Sequence, residues 1–315
     1  MLDGPSAFLD NCISAFCEMP WLDGTMFSHE HVVRGVLATL LVCFICGSLG
    51  SLVVGNRMAF FSDALAHCAF AGVGLGLLLA ILTNTPDDLV RQRITLIMVC
   101  FGIVVGLLIA FVRDQTGLAN DTVIGVFYAA SIGIGAVVTK LAQGWQGSRR
   151  LFSIEDFIFG NPTTAQSWEV VLLIALAIGT IVFLAILYNW LVLASANPSL
   201  ALSRRIPVRL SRYLFIVLLA LMVNLSQQIT GALLINGLLI VPAAAAANLA
   251  TNLRQLFWCS IVIAVLVGFV GNVLSWEISS RFPSHSIGIS GAVVVLSVIL
   301  FVISMPLGRL LRRAG

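Results

Sequence analysis

Residues 58–82 read MAFFSDALAHCAFAGVGLGLLLAIL, an apolar run interrupted by Asp63 and His67. A membrane-spanning helix needs about 20 such residues, so this run is long enough to cross a bilayer. A carboxylate at the bilayer centre costs on the order of 2.5–3.5 kcal/mol on insertion scales, so Asp63 faces a partner or an aqueous path and not lipid. Positions i and i+4 share one helix face, with Cβ atoms about 5–6 Å apart. A carboxylate oxygen and an imidazole nitrogen placed this way are two ligands for a divalent first-row metal. The competing reading is a structural Asp63–His67 hydrogen bond that locks the helix.

Composition extends this reading to the whole chain. Its 315 residues are 59% hydrophobic and 10% charged, where a soluble domain carries about 25% charged residues. The fold class is therefore all-α, a polytopic integral membrane helical bundle. The formal net charge of +3 is small, and no nucleic-acid partner is expected. Lys140 is the only lysine and is followed by Leu141. A phosphate-binding loop ending in Lys-Ser or Lys-Thr is excluded, so any ATP hydrolysis belongs to a separate chain and this one is not an enzyme.

Apolar runs near 33–55, 60–82, 92–112, 121–141, 168–190, 211–227, 229–250, 255–278 and 287–307 predict nine crossings. Eight is the alternative, because only Ser226, Gln227 and Gln228 mark a turn before 229. Residues 1–32 read as an extracytoplasmic tail, either a short interfacial helix or loose chain. Its acidic start lacks the basic region of a secretory signal, and none is expected. Residues 33–315 read as one transmembrane domain, with an outer segment at 142–167 and an inner loop at 191–209. With the C-terminus cytoplasmic, ten basic residues fall inside and seven outside. The dense clusters RRIPVRLSR and RLLRR are both inside, which orients the chain N-out, C-in.

The remaining polar residues read as structural. Gly72 and Gly76, Gly102 and Gly106, and Ser131 and Gly135 have the spacing that lets helices pack closely in lipid. Pro242 removes a backbone donor within its helix, and Asn236 and Asn248 are expected to hydrogen-bond across helices. Cys43 and Cys46 form a CxxC inside an apolar run and read as buried hydrophobes. Cys12 and Cys17 lie in the tail, where pairing is open. His29, His31 and His285 read as solvated or capping residues. Ser62 beside Asp63 and His67 is the only candidate trio for a hydrolase, but Ser62 points about 100° away from Asp63.

Five separated blocks carry a family resemblance. They are NRMAFFSDALAHCAFAGVGLGLLL (56–79), NDTVIGVFYAASIGIGAV (120–137), IEDFIFGN (154–161), QQITGALLINGLLIVPAAAAANL (227–249) and FPSHSIGISGAVVVLS (282–297). In this order they resemble the zinc/manganese permease family of bacterial ABC importers, over roughly residues 33–307. The wording around NRMAFFSDALAH looks closest to the zinc permeases.

The resemblance implies a type II ABC importer-like permease of the bacterial inner membrane. It would dimerise, work with two cytoplasmic ATPase subunits and receive metal from an extracytoplasmic binding protein. No cofactor is held permanently; a divalent ion, Zn2+ or Mn2+, is the cargo. Asp63 and His67 match the family's metal-coordinating pair, and two copies would give four ligands, which suits tetrahedral zinc. The loop after the fifth segment matches the coupling helix that docks into the ATPase. It includes Asn197, Pro198, Ser199, Arg204 and Arg205, although Asn197 and Ser199 stand where acidic residues are common. Asn197 followed by Pro198 still reads as a helix start. Arg149 and Arg150, on the outer segment, are candidates for contact with carboxylates of the binding protein. The alternative class is an ion-coupled secondary metal transporter with Asp63 as proton carrier.

Overall fold

The computed structural model describes residues 3–19, 25–56, 58–83, 86–146, 160, 162–196, 198–204, 206–281 and 288–314. Among them every regular element is helical. In chain order the helices are α1 (Asp3–Cys17), α2 (Glu30–Gly55), α3 (Ala59–Leu82), α4 (Asp87–Thr116), α5 (Asn120–Gln146), α6 (Ser167–Ala196), α7 (Pro198–Ser203), α8 (Val208–Thr230), α9 (Ala232–Leu249), α10 (Leu253–Arg281) and α11 (Ile289–Ala314). Among the described residues nine helices are long and apolar enough to cross a membrane: α2 to α6 and α8 to α11. The tail before them contains a helix, with Pro5 in the first turn of α1, where a missing N–H costs nothing.

The eighth and ninth helices are separated later than the polar triplet suggests. Ser226, Gln227 and Gln228 are inside α8, which runs to Thr230, and the break falls at Gly231 with φ +80°. The amides are not turn formers here because they find partners across helices. Gln227 Nε2 donates to the Ala66 carbonyl at 3.0 Å, and Thr95 Oγ1 donates to Gln228 Oε1 at 2.6 Å. Buried polar groups with such partners are compatible with a helix interior. Gly231 supplies the positive φ that a side chain resists.

The chain forms two compact units. One comprises Gly55–Phe157 and Phe183–Gln228; in it α3 packs against α4 and α5. The α3–α4 seam follows the small-residue spacing. A Cβ on Gly72 would lie 2.7 Å from the Met98 Cα, and one on Gly76 would lie 3.0 Å from the Ile94 Cα. The backbones approach as closely as glycine allows.

The other unit comprises Met1–Val54, Ile158–Val182 and Ile229–Gly315, with α9, α10 and α11 in mutual contact. Here Ser260 Oγ donates to the Gly47 carbonyl at 2.8 Å, and Asn248 Nδ2 to Ser304 Oγ at 2.9 Å. The second is the inter-helix bond expected of Asn248. Cys43 and Cys46 are fully buried, as small hydrophobes. Helix α1 is tied to this unit through Asp10, which accepts from Arg34 at 2.8 Å and from Ser167 at 2.5 Å.

Candidate functional site

Helix α3 is buried on most of its surface, including Phe61, Ser62, Ala64, Leu65, Ala66, Cys68 and Ala69. One stripe is open: Phe60, Asp63, His67 and Phe70, spaced by three, four and three residues along one face. The Asp63 side chain is 38% exposed and that of His67 34%. The pair therefore lies on the outside of its helix cluster and is not sealed within it.

The imidazole is fixed from two directions. His67 Nδ1 lies 2.9 Å from the Asp63 backbone carbonyl and 3.7 Å from the Asp63 carboxylate. A carbonyl can only accept, so a neutral His67 carries its proton on Nδ1 and its lone pair on Nε2. Across the seam the Tyr128 ring of α5 packs against the imidazole, with centroids 4.6 Å apart and planes tilted by 53°. The site can offer one imidazole nitrogen and one carboxylate on a single helical turn. Among the described residues no group of three His, Cys, Asp or Glu side chains could hold a metal ion.

The neighbours of this pair have other tasks. Ser62 Oγ donates to the Ala59 carbonyl at 2.9 Å, which leaves no positioned nucleophile beside Asp63 and His67. Cys68 is buried and its Sγ meets Ser131 Oγ at 2.9 Å, joining α3 to α5. Gln227 donates to Ala66, inside the turn that separates Asp63 from His67. Tyr128 and Gln227 escaped the sequence reading. The available signal was the same as for Asp63, a polar side chain within an apolar run, but only the fold says which helix it meets.

Pro198, Ser199 and Arg204 lie at α7, which begins at Pro198 as the capping pattern predicts. The Arg204 N–H closes the last turn on the Leu200 carbonyl at 3.2 Å. Asn197, Arg205, Arg149, Arg150 and His285 lie outside the described residues. His29 stacks on His31 and tilts against Trp276, and its carbonyl accepts from the backbone of Val32 and Val33, a capping position. Cys12 and Cys17 are free thiols, Cys12 exposed. Burial, with a smaller push from the Glu30 carboxylate, raises the Cys17 thiol above its ordinary value.

Comparison with known proteins covers nearly the whole chain. The model of the ABC 3 transport family matches residues 28–308, leaving α1 outside. The manganese import system permease protein ScaB of Streptococcus parasanguinis is 24% identical, over 90% of this chain and 92% of the relative. The high-affinity zinc uptake system membrane protein ZnuB of Haemophilus influenzae is 27% identical, over 88% and 97%. Among solved structures, PsaBC from Streptococcus pneumoniae in complex with Fab shares the fold, with a TM-score of 0.72 and 21% identity over 91% of this chain and 96% of that one. Nine membrane-length helices among the described residues and a match over most of their length make this a multi-pass protein of the cytoplasmic membrane, and the chain belongs to the ABC 3 transport family.

Proposed function

We propose that the protein is the membrane permease subunit of an ABC importer that carries divalent transition-metal ions into the cytoplasm past Asp63 and His67. The observation that carries this reading is the geometry of α3. An acid and an imidazole whose Nδ1 is held by a backbone carbonyl share a part-exposed stripe of an otherwise buried helix. One copy supplies two ligands, and a second copy across a homodimer axis would supply four, the tetrahedral number that zinc favours. Manganese would want more oxygen or water. Relatives described as manganese and zinc systems match at similar identity, so the preference for zinc rests on the ligand chemistry. The pair must bind well enough to replace water and weakly enough to release.

ATP is hydrolysed by separate cytoplasmic subunits, for which α7 is the docking element, with Pro198 and Ser199 on it and Asn197, Arg204 and Arg205 flanking. Arg149 and Arg150 are assigned to docking of the extracytoplasmic binding protein. The secondary-transporter alternative is not favoured, because the match runs along a family of ABC transport proteins.

The test is uptake by the reconstituted complex. Asp63→Ala and His67→Ala each abolish metal uptake and leave co-purification with the ATPase intact. Uptake by the unmodified complex weakens on acidification, because the metal needs the neutral imidazole and the ionised carboxylate. Normal uptake by either variant overturns the assignment. Competition between Zn2+ and Mn2+ in the same assay decides the cargo.

A further inference from the structure

Helix α8 follows the short α7 after only four residues, 204–207. The link is braced by backbone bonds. The Ile206 N–H donates to the Ala201 carbonyl at 3.0 Å and the Val208 N–H to the Ile206 carbonyl at 2.9 Å, and Pro207 has its φ fixed just before the helix starts. A displacement of α7 is therefore passed to α8 and not absorbed between them. From there α8 runs in one piece to Thr230. Gln227 is 19 residues beyond Val208, about 28 Å along a helix.

Within the unit that holds α3, α4, α7 and α8 as far as Gln228, α8 is seated on α4 by small residues. Ile216, Ala220 and Asn224 are four apart on one face and all buried, and they lie over Gly106 and Gly102. A Cβ on Gly106 would lie 3.3 Å from Ile216 Cγ2 and 3.8 Å from the Ala220 Cβ, and one on Gly102 would overlap the Asn224 amide. Near the start of α8, Arg212 Nη1 is 3.0 Å from Asp114 Oδ1. At its far end Gln228 accepts from Thr95, and Gln227 Nε2 donates to the Ala66 carbonyl of α3 at 3.0 Å. That carbonyl belongs to the planar peptide that leads into His67. Gln227 is 1% exposed, and its Oε1 meets no donor among the described residues. A leucine would avoid the cost of that unmet acceptor; what it would lack is the donor to Ala66.

We propose that Gln227 is a positioning residue for metal transfer: by holding the peptide that enters His67, it makes α8, and through it α7, move together with the turn that bears Asp63 and His67. Rigid elements joined by packed side chains and hydrogen bonds carry coupling between distant sites. The proposal rests on the functional reading above, with the metal at Asp63 and His67 and the ATPase on α7. Without the Gln227 bond α8 can shift against α3, and the ligands keep their place whichever state the ATPase is in. Metal and ATP then bind independently. With the bond, each changes the other's affinity by the same factor.

The experiment uses the assembled complex of permease and ATPase in detergent. Zn2+ affinity is measured by competition titration without nucleotide and with a non-hydrolysable ATP analogue. The unmodified complex is expected to show affinities roughly fivefold or more apart, the lower end of ordinary coupling between sites. Gln227→Leu brings that ratio to within about twofold of one. Gln228→Leu removes the neighbouring bond to Thr95 but leaves the Ala66 peptide held, and it keeps the ratio; a purely structural role would make the two variants alike. If Gln227→Leu fails to assemble with the ATPase, Gln227→Met, of nearly the same length and without the amide, is read in its place. An unmodified ratio near one overturns the proposal, as does an unchanged ratio in Gln227→Leu or an equal loss in Gln228→Leu. His67→Ala separates the two readings. Loss of Zn2+ binding there, with the Gln227→Leu ratio unchanged, overturns the tie alone. Unchanged Zn2+ affinity in His67→Ala overturns the metal assignment and the tie with it.

Discussion

Tyr128 packs its ring on the His67 imidazole from α5, while the Asp63 carbonyl holds the other side of the same ring. Ligand orientation by such neighbours typically carries a factor of 10–100 in metal affinity. The hydroxyl of Tyr128 has no part in the ring contact, so Tyr128→Phe keeps affinity within about twofold of the unmodified protein. Tyr128→Ala frees the imidazole to rotate and weakens metal binding by roughly tenfold, which a competition titration on the purified protein reads directly. Equal affinities for the two variants would remove the ring from the site. At this scale the shared, part-exposed face of Asp63 and His67 was legible, because a charged residue inside a spanning run announces itself through its cost. Its supports were not. Tyr128 and Gln227 are 61 and 160 residues from His67 in sequence, and no local pattern says that either meets α3.

Helix boundaries followed hydropathy closely, since spans of about 20 apolar residues leave little freedom in where a chain can turn. The exception was α8, where Ser226, Gln227 and Gln228 resembled a turn and proved to be inter-helix ties, with the turn displaced to Gly231. Small-residue spacing was the better guide to packing. Gly72 and Gly76 face the α4 backbone at distances a Cβ would violate, whereas Gly179 of α6 has open surroundings in the single chain. The same chemical change should therefore have opposite effects at the two places. Gly72→Ala forces α4 away and costs about 1–3 kcal/mol, as overpacking does. Gly179→Ala meets nothing and gains up to about 1 kcal/mol of helix propensity. Thermal midpoints of the purified protein should fall for the first and hold or rise for the second. A Gly72→Ala protein as stable as the unmodified one would mean that the α3–α4 seam yields at no cost.

The division into two units was not legible at the scale of the whole molecule, because each unit is assembled from separated stretches of chain and hydropathy carries no information on which helices pair. Orientation is read from charge alone. An odd number of crossings puts the termini on opposite faces, and the arginines around α7 and the start of α8 then lie with the C-terminal RLLRR cluster on the cytoplasmic side. Helix α1 and its exposed Cys12 must then be outside. Cys12 should react with a membrane-impermeant maleimide in intact cells, and Cys12→Ser should remove most of that labelling. Cys17 reacts more slowly, because burial and Glu30 raise its thiol, and the thiolate is the reactive form. The sign follows directly: a raised value means less thiolate at neutral pH, so the Cys17 rate climbs when labelling is repeated at higher pH. Cys100 is exposed in the single chain but lies within the spanning part of α4, where an impermeant reagent does not reach it. Labelling of Cys12 only after the membrane is opened would reverse the topology. It would also put α7, the proposed ATPase-docking element, on the outer face.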